Sequence, residues 1–275
     1  MYKRARALTS HYVAQLLRNW HQKQSRSGTW PSISAATWAR TPIGARKWLR
    51  QRVLKPLETD AHQAATGNKQ LSEVLSDNLS GWALSPATLA YLSHFVEKHK
   101  PRCILEFGSG VSTKLFAVYA REMSQQNQPV TVCSLEHDRD WLRQTQEQLR
   151  ISGLLDFVSL FEAQLATQQF VGKSILTYEI PQTCVEMLGS TAGVELLLID
   201  GPPRRVGRSG CLPVAVPLLA DNATILLDDA FRPEELDAMA TWFTSLKGKL
   251  SQPRLLLLDS HGTGLMAWDV QADRL

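Results

Sequence analysis

A carboxylate, two glycines and a second carboxylate form the part of the sequence that is best suited to hold a nucleotide-like ligand. In the run 104–113 (ILEFGSGVST), Glu106 follows an apolar stretch, and Gly108 and Gly110 precede a helical pattern. Glycine lets the main chain turn sharply and approach a ligand, and the first turn of a helix offers free N–H groups. Glu136 ends the next apolar run, where it could accept hydrogen bonds from both hydroxyls of a ribose.

The charge of this loop distinguishes two classes of ligand. Thr113 stands where the dinucleotide-binding fingerprint has its third glycine, and Glu106 would repel a pyrophosphate. A sulfonium ion with its ammonium group is a cation, which the same carboxylate would attract. The residues therefore favour S-adenosylmethionine over a dinucleotide, with a plain tight turn as the alternative.

Three more carboxylates follow apolar runs in the second half of the chain. Asp200 follows the run 194–199, and Asp228 and Asp229 follow the run 224–227. Because ligands of an open α/β sheet bind beyond the carboxyl ends of its strands, these acids should converge beside the cofactor. Their oxygens could hold Mg²⁺, or they could act in catalysis without a metal. A structural role, in which they bond to loop amides or face solvent, is the third alternative.

Other side chains could contact the molecule that reacts with the cofactor. Asp200 and His261 are candidate general bases, although an isolated histidine is more often a structural residue. Arg204, four residues after Asp200, could anchor a carboxylate or phosphate of the substrate. Together Arg204, Arg205 and Arg208 predict an anion clamp, with a solvated loop as the alternative.

Apolar runs of strand length alternate with helical patterns from about residue 77 onward. Runs such as 195–199 (ELLLI) are apolar on both faces, as expected of strands covered by helices on both sides. Only a short linker around 261–264 separates the last two runs, which must therefore form an antiparallel pair. The pattern predicts an α/β three-layer sandwich with a mainly parallel seven-stranded sheet whose last strand is antiparallel. The predicted strands are 103–107, 130–135, 157–161, 194–199, 224–227, 254–258 and 264–268, and the predicted helices are 86–98 (capped by Ser85), 112–123, 138–151, 212–220 and 233–246.

The connection 162–193 is longer than is usual in such a fold. It predicts one or two short helices that cover the substrate. Tyr178 is its best candidate for a substrate contact, with core packing as the alternative.

The first 57 residues carry an unusual charge. They contain twelve Lys or Arg and no Asp or Glu, which leaves 18 basic and 26 acidic residues for the rest of the chain. Apolar spacing predicts amphipathic helices at about 8–20 and 43–57. Such helices could contact an anionic membrane surface or nucleic acid, could pack on the main domain as a cap or dimer arm, or could form a transit peptide. We assign residues 1–76 to a basic helical N-terminal extension and residues 77–275 to the main domain.

Composition excludes several classes of protein. With 275 residues, 44% hydrophobic and 20% charged, the chain is neither disordered nor a small stapled domain. Its four cysteines are scattered, without a C-x-x-C pair or a Cys/His cluster, so we expect neither a disulfide framework nor a zinc site. No apolar run reaches the ~20 residues of a membrane span, and no secretory signal is visible. These features predict a cytoplasmic protein, with surface contact to a membrane as an option.

From about residue 81 onward, roughly 70% of the chain resembles the class I S-adenosylmethionine-dependent methyltransferases. The runs 105–113 (LEFGSGVST), 135–138 (LEHD), 199–203 (IDGPP) and 227–230 (LDDA) resemble a bacterial group often found with glycan or natural-product genes. The resemblance implies a Rossmann-like domain that binds S-adenosylmethionine. Ser112 stands where the family usually has a third glycine. The implied cofactor contacts are Glu106, Gly108, Ser109 and Gly110 for methionine and ribose, Ser112 and Thr113 at the helix start, Glu136 for the ribose hydroxyls and His137 near the adenine.

The resemblance also implies O-methylation of a small molecule or glycan. In metal-dependent O-methyltransferases of the catechol type, acids after the fourth and fifth strands hold Mg²⁺, and Asp200, Asp228 and Asp229 would correspond to them. The lysine of that family is Pro203 here, with Arg204 next to it. An RNA methyltransferase that uses the basic extension is an alternative, although no N/D-P-P-Y/F motif follows the fourth strand. A non-catalytic cofactor-binding partner protein is another alternative, and a homodimer is open in each case.

Overall fold

The computed structural model describes residues 84–170, 172–230, 232–246, 248–251, 254–257 and 264–271, together with residues 33–34 and Val74. The two helices predicted before residue 58 and the candidate base His261 lie outside the described residues. Among the helices of the described residues, none is both long and apolar enough to cross a membrane.

A mixed eight-stranded sheet forms the centre of the described domain. The strands are β1 (Ile33–Ser34), β2 (Cys103–Phe107), β3 (Thr131–Glu136), β4 (Ser159–Glu162), β5 (Leu165–Phe170), β6 (Lys173–Tyr178), β7 (Val194–Ile199), β8 (Leu219–Leu227), β9 (Arg254–Leu257) and β10 (Leu265–Asp269). The sheet order is β1-β9-β10-β8-β7-β2-β3-β4, and β5 and β6 form a separate hairpin. The neighbours from β8 to β4 are parallel, whereas β10 is antiparallel to both β8 and β9. The predicted parallel sheet with an antiparallel last strand is therefore confirmed.

Helices cover both faces of this sheet. They are α1 (Pro86–His99), α2 (Val111–Gln125), α3 (Arg139–Ile151), α4 (Gln182–Gly189), α5 (Cys211–Ala215) and α6 (Pro233–Ser245). The predicted cap of α1 is confirmed, because the Ser85 hydroxyl accepts a hydrogen bond from the Thr88 amide at 3.1 Å. Asp138 caps α3 by accepting from the amides of Asp140 and Trp141, both at 3.0 Å. Capped helix starts fix where the loops before them end.

Two hydrophobic cores separate the three layers. Ile104, Leu196 and Leu226 belong to the core under α1, α2 and α3, whereas their chain neighbours Leu105 and Leu197 belong to the core under α4, α5 and α6. Alternate residues of a strand point to opposite faces, so strands covered on both sides must be apolar throughout. The carboxyl ends of the parallel strands are thereby held at one edge of a rigid sheet.

Two elements were not predicted. The 162–193 connection contains the expected short helix, α4, but it begins with the β5–β6 hairpin, which turns at Gly172 with φ of +72°. Strand β1 comes from the basic segment and pairs with β9, with Ile33 opposite Leu255. Residues 33–34 therefore extend the sheet beyond the seven predicted strands.

Candidate functional site

The loops after β2 and β7 meet through their backbones at the carboxyl edge of the sheet. Gly108, after β2, has φ of +94°, and a Cβ at this position would lie 2.8 Å from the amide nitrogen of Gly201. The Asp200 amide donates to the Phe107 carbonyl oxygen at 2.9 Å. Only glycine allows this approach, because any side chain at residue 108 would collide with the second loop. The contact holds Asp200 beside the glycine-containing loop.

Glu106, the last residue but one of β2, lies fully buried beneath that loop. Its Oε2 accepts hydrogen bonds from the hydroxyls of Thr113 at 2.6 Å and Ser134 at 2.7 Å. Its Oε1 has no hydrogen-bond partner among the described residues. Burial raises the pKa of Glu106 to about 7, although hydrogen bonds from nearby hydroxyl groups oppose the shift. A cationic group bound here would gain a partner and would favour the ionised carboxylate.

Glu136, at the end of β3, ties down the glycine-containing loop. Its Oε2 accepts from the Ser109 amide at 3.1 Å, and its Oε1 accepts from the amides of His137 and Asp138 at 2.8 and 2.9 Å. A carboxylate has about four lone-pair sites, so three backbone donors leave room for about one more. The carboxylate predicted to bind a ribose thus also has a structural function.

Two residues of α3 hold the same loop from the other side. The indole Nε1 of Trp141 donates to the Ser109 carbonyl oxygen at 2.6 Å, and the Ser109 hydroxyl donates to the Thr145 hydroxyl at 3.3 Å. The Gly110 amide donates to the Thr113 hydroxyl at 2.9 Å. Trp141 and Thr145 were not predicted as site residues, because their spacing fits an ordinary amphipathic helix.

Tyr178, at the end of β6, packs against residues at the carboxyl ends of β2, β3 and β7. Its ring stacks on Phe107 at 5.4 Å and meets the His137 ring edge-on at 5.8 Å. Its hydroxyl is buried without a hydrogen-bond partner among the described residues and lies against Gly201. Burial raises the pKa of this hydroxyl, and the Glu136 carboxylate adds to the effect. The ring packs in the core, and the hydroxyl is a buried polar atom beside Gly201.

Asp200, Asp228 and Asp229 converge at the carboxyl ends of β7 and β8, as predicted. Each offers one oxygen that lies within 4.8 Å of the others. The Asp200 side chain is 23% exposed, whereas Asp228 and Asp229 are buried. Burial raises the pKa of Asp200, the Arg208 guanidinium opposes this shift, and the Asp229 carboxylate adds to it. The solvated position that was one alternative for Asp229 is thereby excluded.

A buried guanidinium already occupies this cluster. Arg208 is 3% exposed, and its Nη2 donates to Asp200 Oδ1 at 3.0 Å and to Asp229 Oδ2 at 3.2 Å. Its Nη1 donates to the Asp228 carbonyl oxygen at 2.6 Å. On the far side, Glu235 Oε1 of α6 lies 3.6 Å from Arg208 Nε. The prediction that Arg208 belongs to a substrate-facing anion clamp, or to a solvated loop, is wrong because these contacts use the guanidinium inside the fold.

The same contacts decide how well the three aspartates suit a divalent metal. Their spacing would suit a small cation, and carboxylate oxygens are ligands that Mg²⁺ accepts. A metal between them would, however, have to share two carboxylates with a guanidinium that cannot lose its charge. The residues present fit the guanidinium and do not fit a metal beside it. The metal assignment remains a prediction, and the position of Arg208 argues against it.

Arg204 and Arg205, the other two arginines of the predicted anion clamp, lie on the surface. Arg204 forms an exposed ion pair with Glu234, with Nε and Oε1 3.1 Å apart, and Arg205 is exposed. Arg232 pairs with Asp229 at 2.6 Å at the rim of the cluster. Glu235 was not predicted as a site residue. Acids are common in the first turn of a helix because the helix dipole favours negative charge there, so its position gave no separate signal.

A separate open cavity of about 480 Å³ lies at the opposite, amino end of the strands. Among the residues that line it are His99, Glu195 and Asp221. It contains none of the predicted site residues and no cluster of acids and glycines, so the carboxyl ends of β2, β3, β7 and β8 are the candidate site.

Comparison with solved structures finds the same fold in O-methyltransferases. An O-methyltransferase from Bacillus cereus, solved in complex with SAH, matches with a TM-score of 0.51 at 15% sequence identity, covering 77% of this chain and 97% of that one. A Staphylococcus aureus protein, proposed to be a caffeoyl-CoA O-methyltransferase, matches with a TM-score of 0.51 at 13% identity, covering 78% of this chain and 98% of that one. No protein-family model and no curated protein matches the chain. The described domain has the fold of the class I S-adenosylmethionine-dependent methyltransferases.

Proposed function

We propose that this chain is an S-adenosylmethionine-dependent methyltransferase that acts on an oxygen atom of a small molecule or glycan. The observation that carries the proposal is Glu106, a fully buried carboxylate with one unpartnered oxygen beneath the glycine-containing loop. A buried acid of this kind suits a cationic ligand and disfavours a pyrophosphate. The fold shared with an SAH-bound O-methyltransferase supports both the donor and the choice of oxygen.

S-adenosylmethionine, when bound, supplies a methyl group on a positively charged sulfur. Glu106 would hold the cationic end of the donor, and the backbone of the glycine-containing loop would lie against it. Glu136 would use its remaining acceptor site for a ribose hydroxyl, with His137 near the base. These residues hold the donor in place, and holding two reactants in line is the chief contribution a protein makes to a direct displacement.

Asp200 is the best placed described residue to take a proton from the acceptor hydroxyl. It is the most exposed of the three clustered aspartates, and its backbone is fixed to β2 beside the glycine-containing loop. Asp200 would take the hydroxyl proton and pass it to solvent, while the donor would supply the methyl group to the acceptor oxygen and its sulfur would keep the electrons of the C–S bond. His261 remains a second candidate base, and Arg204 remains a candidate anchor at the rim.

Titration calorimetry with SAH, combined with methyl transfer from radiolabelled S-adenosylmethionine to a panel of hydroxyl compounds and glycans, tests this function. We expect binding in the wild type, loss of binding in Glu136→Ala and unchanged binding in Glu147→Ala, an exposed acid paired with Arg150 on α3. NAD binding in place of SAH would overturn the proposal. SAH binding without turnover on any acceptor would favour the non-catalytic alternative.

The charge of residues 1–57 supports a second proposal, that this segment binds an anionic partner. Twelve basic side chains without an acid suit an anionic membrane surface, with RNA as the alternative. Cosedimentation with vesicles that contain anionic lipid, and gel shift with RNA, at rising salt would separate the two. Binding to neither would leave the segment as a cap on the main domain.

A further inference from the structure

We propose that Arg208 is the resident cation of the carboxylates at the ends of β7 and β8, where it takes the place that a divalent metal would have. The inference deepens the proposed methyltransferase function and rests on it for one of its readouts. Arg208 acts here as a positioning residue, since its guanidinium holds the side chains of Asp200 and Asp229 and the backbone of Asp228.

The first support is the geometry of the donor atoms. One nitrogen, Nη2, bridges Asp200 and Asp229 at 3.0 and 3.2 Å, so it lies between oxygens that would otherwise be metal ligands. Nη1 reaches the Asp228 carbonyl oxygen at 2.6 Å. A guanidinium has five donors in a fixed fork, which lets one side chain hold groups from two strand ends at once.

The second support is the charge that surrounds the guanidinium. Asp200, Asp228, Asp229 and Glu235 bring four carboxyl groups to one region. Arg208 pairs with Asp200, Asp229 and Glu235, and Arg232 pairs with Asp229. Glu235 is fully buried, and neither of its carboxyl oxygens has a hydrogen-bond partner among the described residues. A buried cation without these acids, or the acids without the cation, would carry a large desolvation cost.

The third support is the rigid attachment of the loop that carries Arg208. The indole of Trp242 donates to the Ser209 carbonyl oxygen at 2.7 Å, and the Cys211 thiol donates to the Gly201 carbonyl oxygen at 3.4 Å. A Cβ on Gly210 would collide with the side chain of Thr177, so the backbone packs directly against β6. These contacts on both sides of Arg208 hold the guanidinium in the cluster, and a metal could not enter without displacing it.

Metal binding and metal dependence test the inference. Electron paramagnetic resonance of Mn²⁺ should show one saturable site in Arg208→Ala, and no saturation of the wild type up to a Mn²⁺ concentration about tenfold above the one that half-saturates this variant. The double variant Arg208→Ala/Asp229→Asn should lose this site. Arg150→Ala, which removes an exposed arginine of α3, is the matched control and should behave as the wild type. Methyl transfer by the wild type should change by less than about twofold between chelator and added Mg²⁺.

Saturable Mn²⁺ binding by the wild type that is lost in Asp229→Asn would overturn the inference, as would activity that chelator abolishes and metal restores. The wild-type titration gives this answer even if Arg208→Ala does not fold. Absence of SAH binding would instead overturn the proposed function, and the Mn²⁺ titration would still decide whether Arg208 excludes a metal.

Discussion

Three carboxylates at strand ends differ in what surrounds them, and the surroundings set what each can do. Glu106 is buried among hydroxyls and keeps one oxygen without a partner. Glu136 is bonded to three backbone amides and fixes a loop. Asp200 shares a guanidinium with Asp229 and is partly exposed. We infer that the first attracts the donor, the second shapes its site and the third faces the acceptor.

The raised pKa of Glu106 predicts how the stability of the unliganded protein depends on pH. Its folded-state value of about 7 lies above its ordinary value of 4.5, so ionisation is harder in the folded chain than in the unfolded chain. The free energy of unfolding should therefore fall as pH rises from about 4.5 to about 7. Glu106→Gln cannot ionise and should be stabilised relative to the wild type near pH 8, by up to about 3 kcal/mol, but not near pH 4.5.

Urea denaturation of both proteins at the two pH values measures this difference. The same relative stability at both values would contradict the assignment of a buried, ionisable Glu106. Comparison of the wild type with Glu147→Gln, a substitution at an exposed acid of α3, measures how the loss of a surface charge changes the free energy of unfolding.

The acids of the site could be predicted from the sequence because each follows a strand of a parallel sheet. Asp200, Asp228 and Asp229 were expected to meet, and they do. The function of Arg208 could not be predicted, because its partners depend on how the loop from 200 to 210 folds back onto α6. Glu235 and Trp242, which complete those surroundings, lie 27 and 34 residues further along the chain.

At the scale of elements, the close contact between the loops after β2 and β7 keeps Asp200 beside the glycine-containing loop. Each loop leaves a strand of the same parallel pair, so the sheet fixes where the loops begin. Gly108 and Gly201 then decide how closely they approach. The position of Asp200 relative to the glycine-containing loop therefore depends on the absence of a side chain at residue 108.

Gly108→Ala tests this dependence, with Gly153→Ala as the matched control. Both glycines have positive φ, but a Cβ at residue 153 has nothing within 4 Å, whereas a Cβ at residue 108 meets backbone atoms from 2.8 Å. Both variants should lose about 1 kcal/mol from the left-handed backbone, and Gly108→Ala should lose a further ~1–3 kcal/mol from the collision. Equal destabilisation of the two variants in urea would contradict the close approach.

The sequence predicted the elements with strong periodicity and missed the others. The strands from β2 to β10 of the main sheet are long apolar runs, and they were placed to within a few residues, although β8 begins at Leu219, five residues before its predicted start. The β5–β6 hairpin alternates polar and apolar residues weakly, and β1 has only two residues. Pairing with an existing sheet edge, a long-range contact, makes β1 a strand.

At the scale of the whole molecule, the chain joins a basic segment to an acidic main part. Residues 1–57 contain twelve basic residues and no acidic residue. The remainder contains 26 acidic and 18 basic residues, an excess of eight acids. Residues 33–34 of the basic segment pair with β9 at the edge of the sheet away from β4. The part of the segment that precedes β1 can therefore be removed without removing that strand.

Deletion of residues 1–30 should separate the two proposed activities. The deletion removes six of the twelve basic residues and keeps Ile33 and Ser34. We expect binding to anionic vesicles to weaken at least about tenfold, since each basic residue near such a surface contributes about 1 kcal/mol. SAH affinity should stay within about twofold of the full-length value. Equal vesicle binding by both proteins would contradict a membrane-binding function for residues 1–30.

We propose that the buried Glu106 carboxylate attracts a positively charged methyl donor, and the pH dependence of S-adenosylmethionine affinity is the most direct test. Because the pKa of Glu106 is about 7, the carboxyl group is mostly protonated near pH 5.5. In the wild type, calorimetry should show an affinity for S-adenosylmethionine that rises on the order of tenfold between pH 5.5 and pH 7.5. The affinity of Glu106→Gln should change little over the same range. The same pH profile in both proteins, or tighter binding of NAD than of S-adenosylmethionine, would contradict the claim.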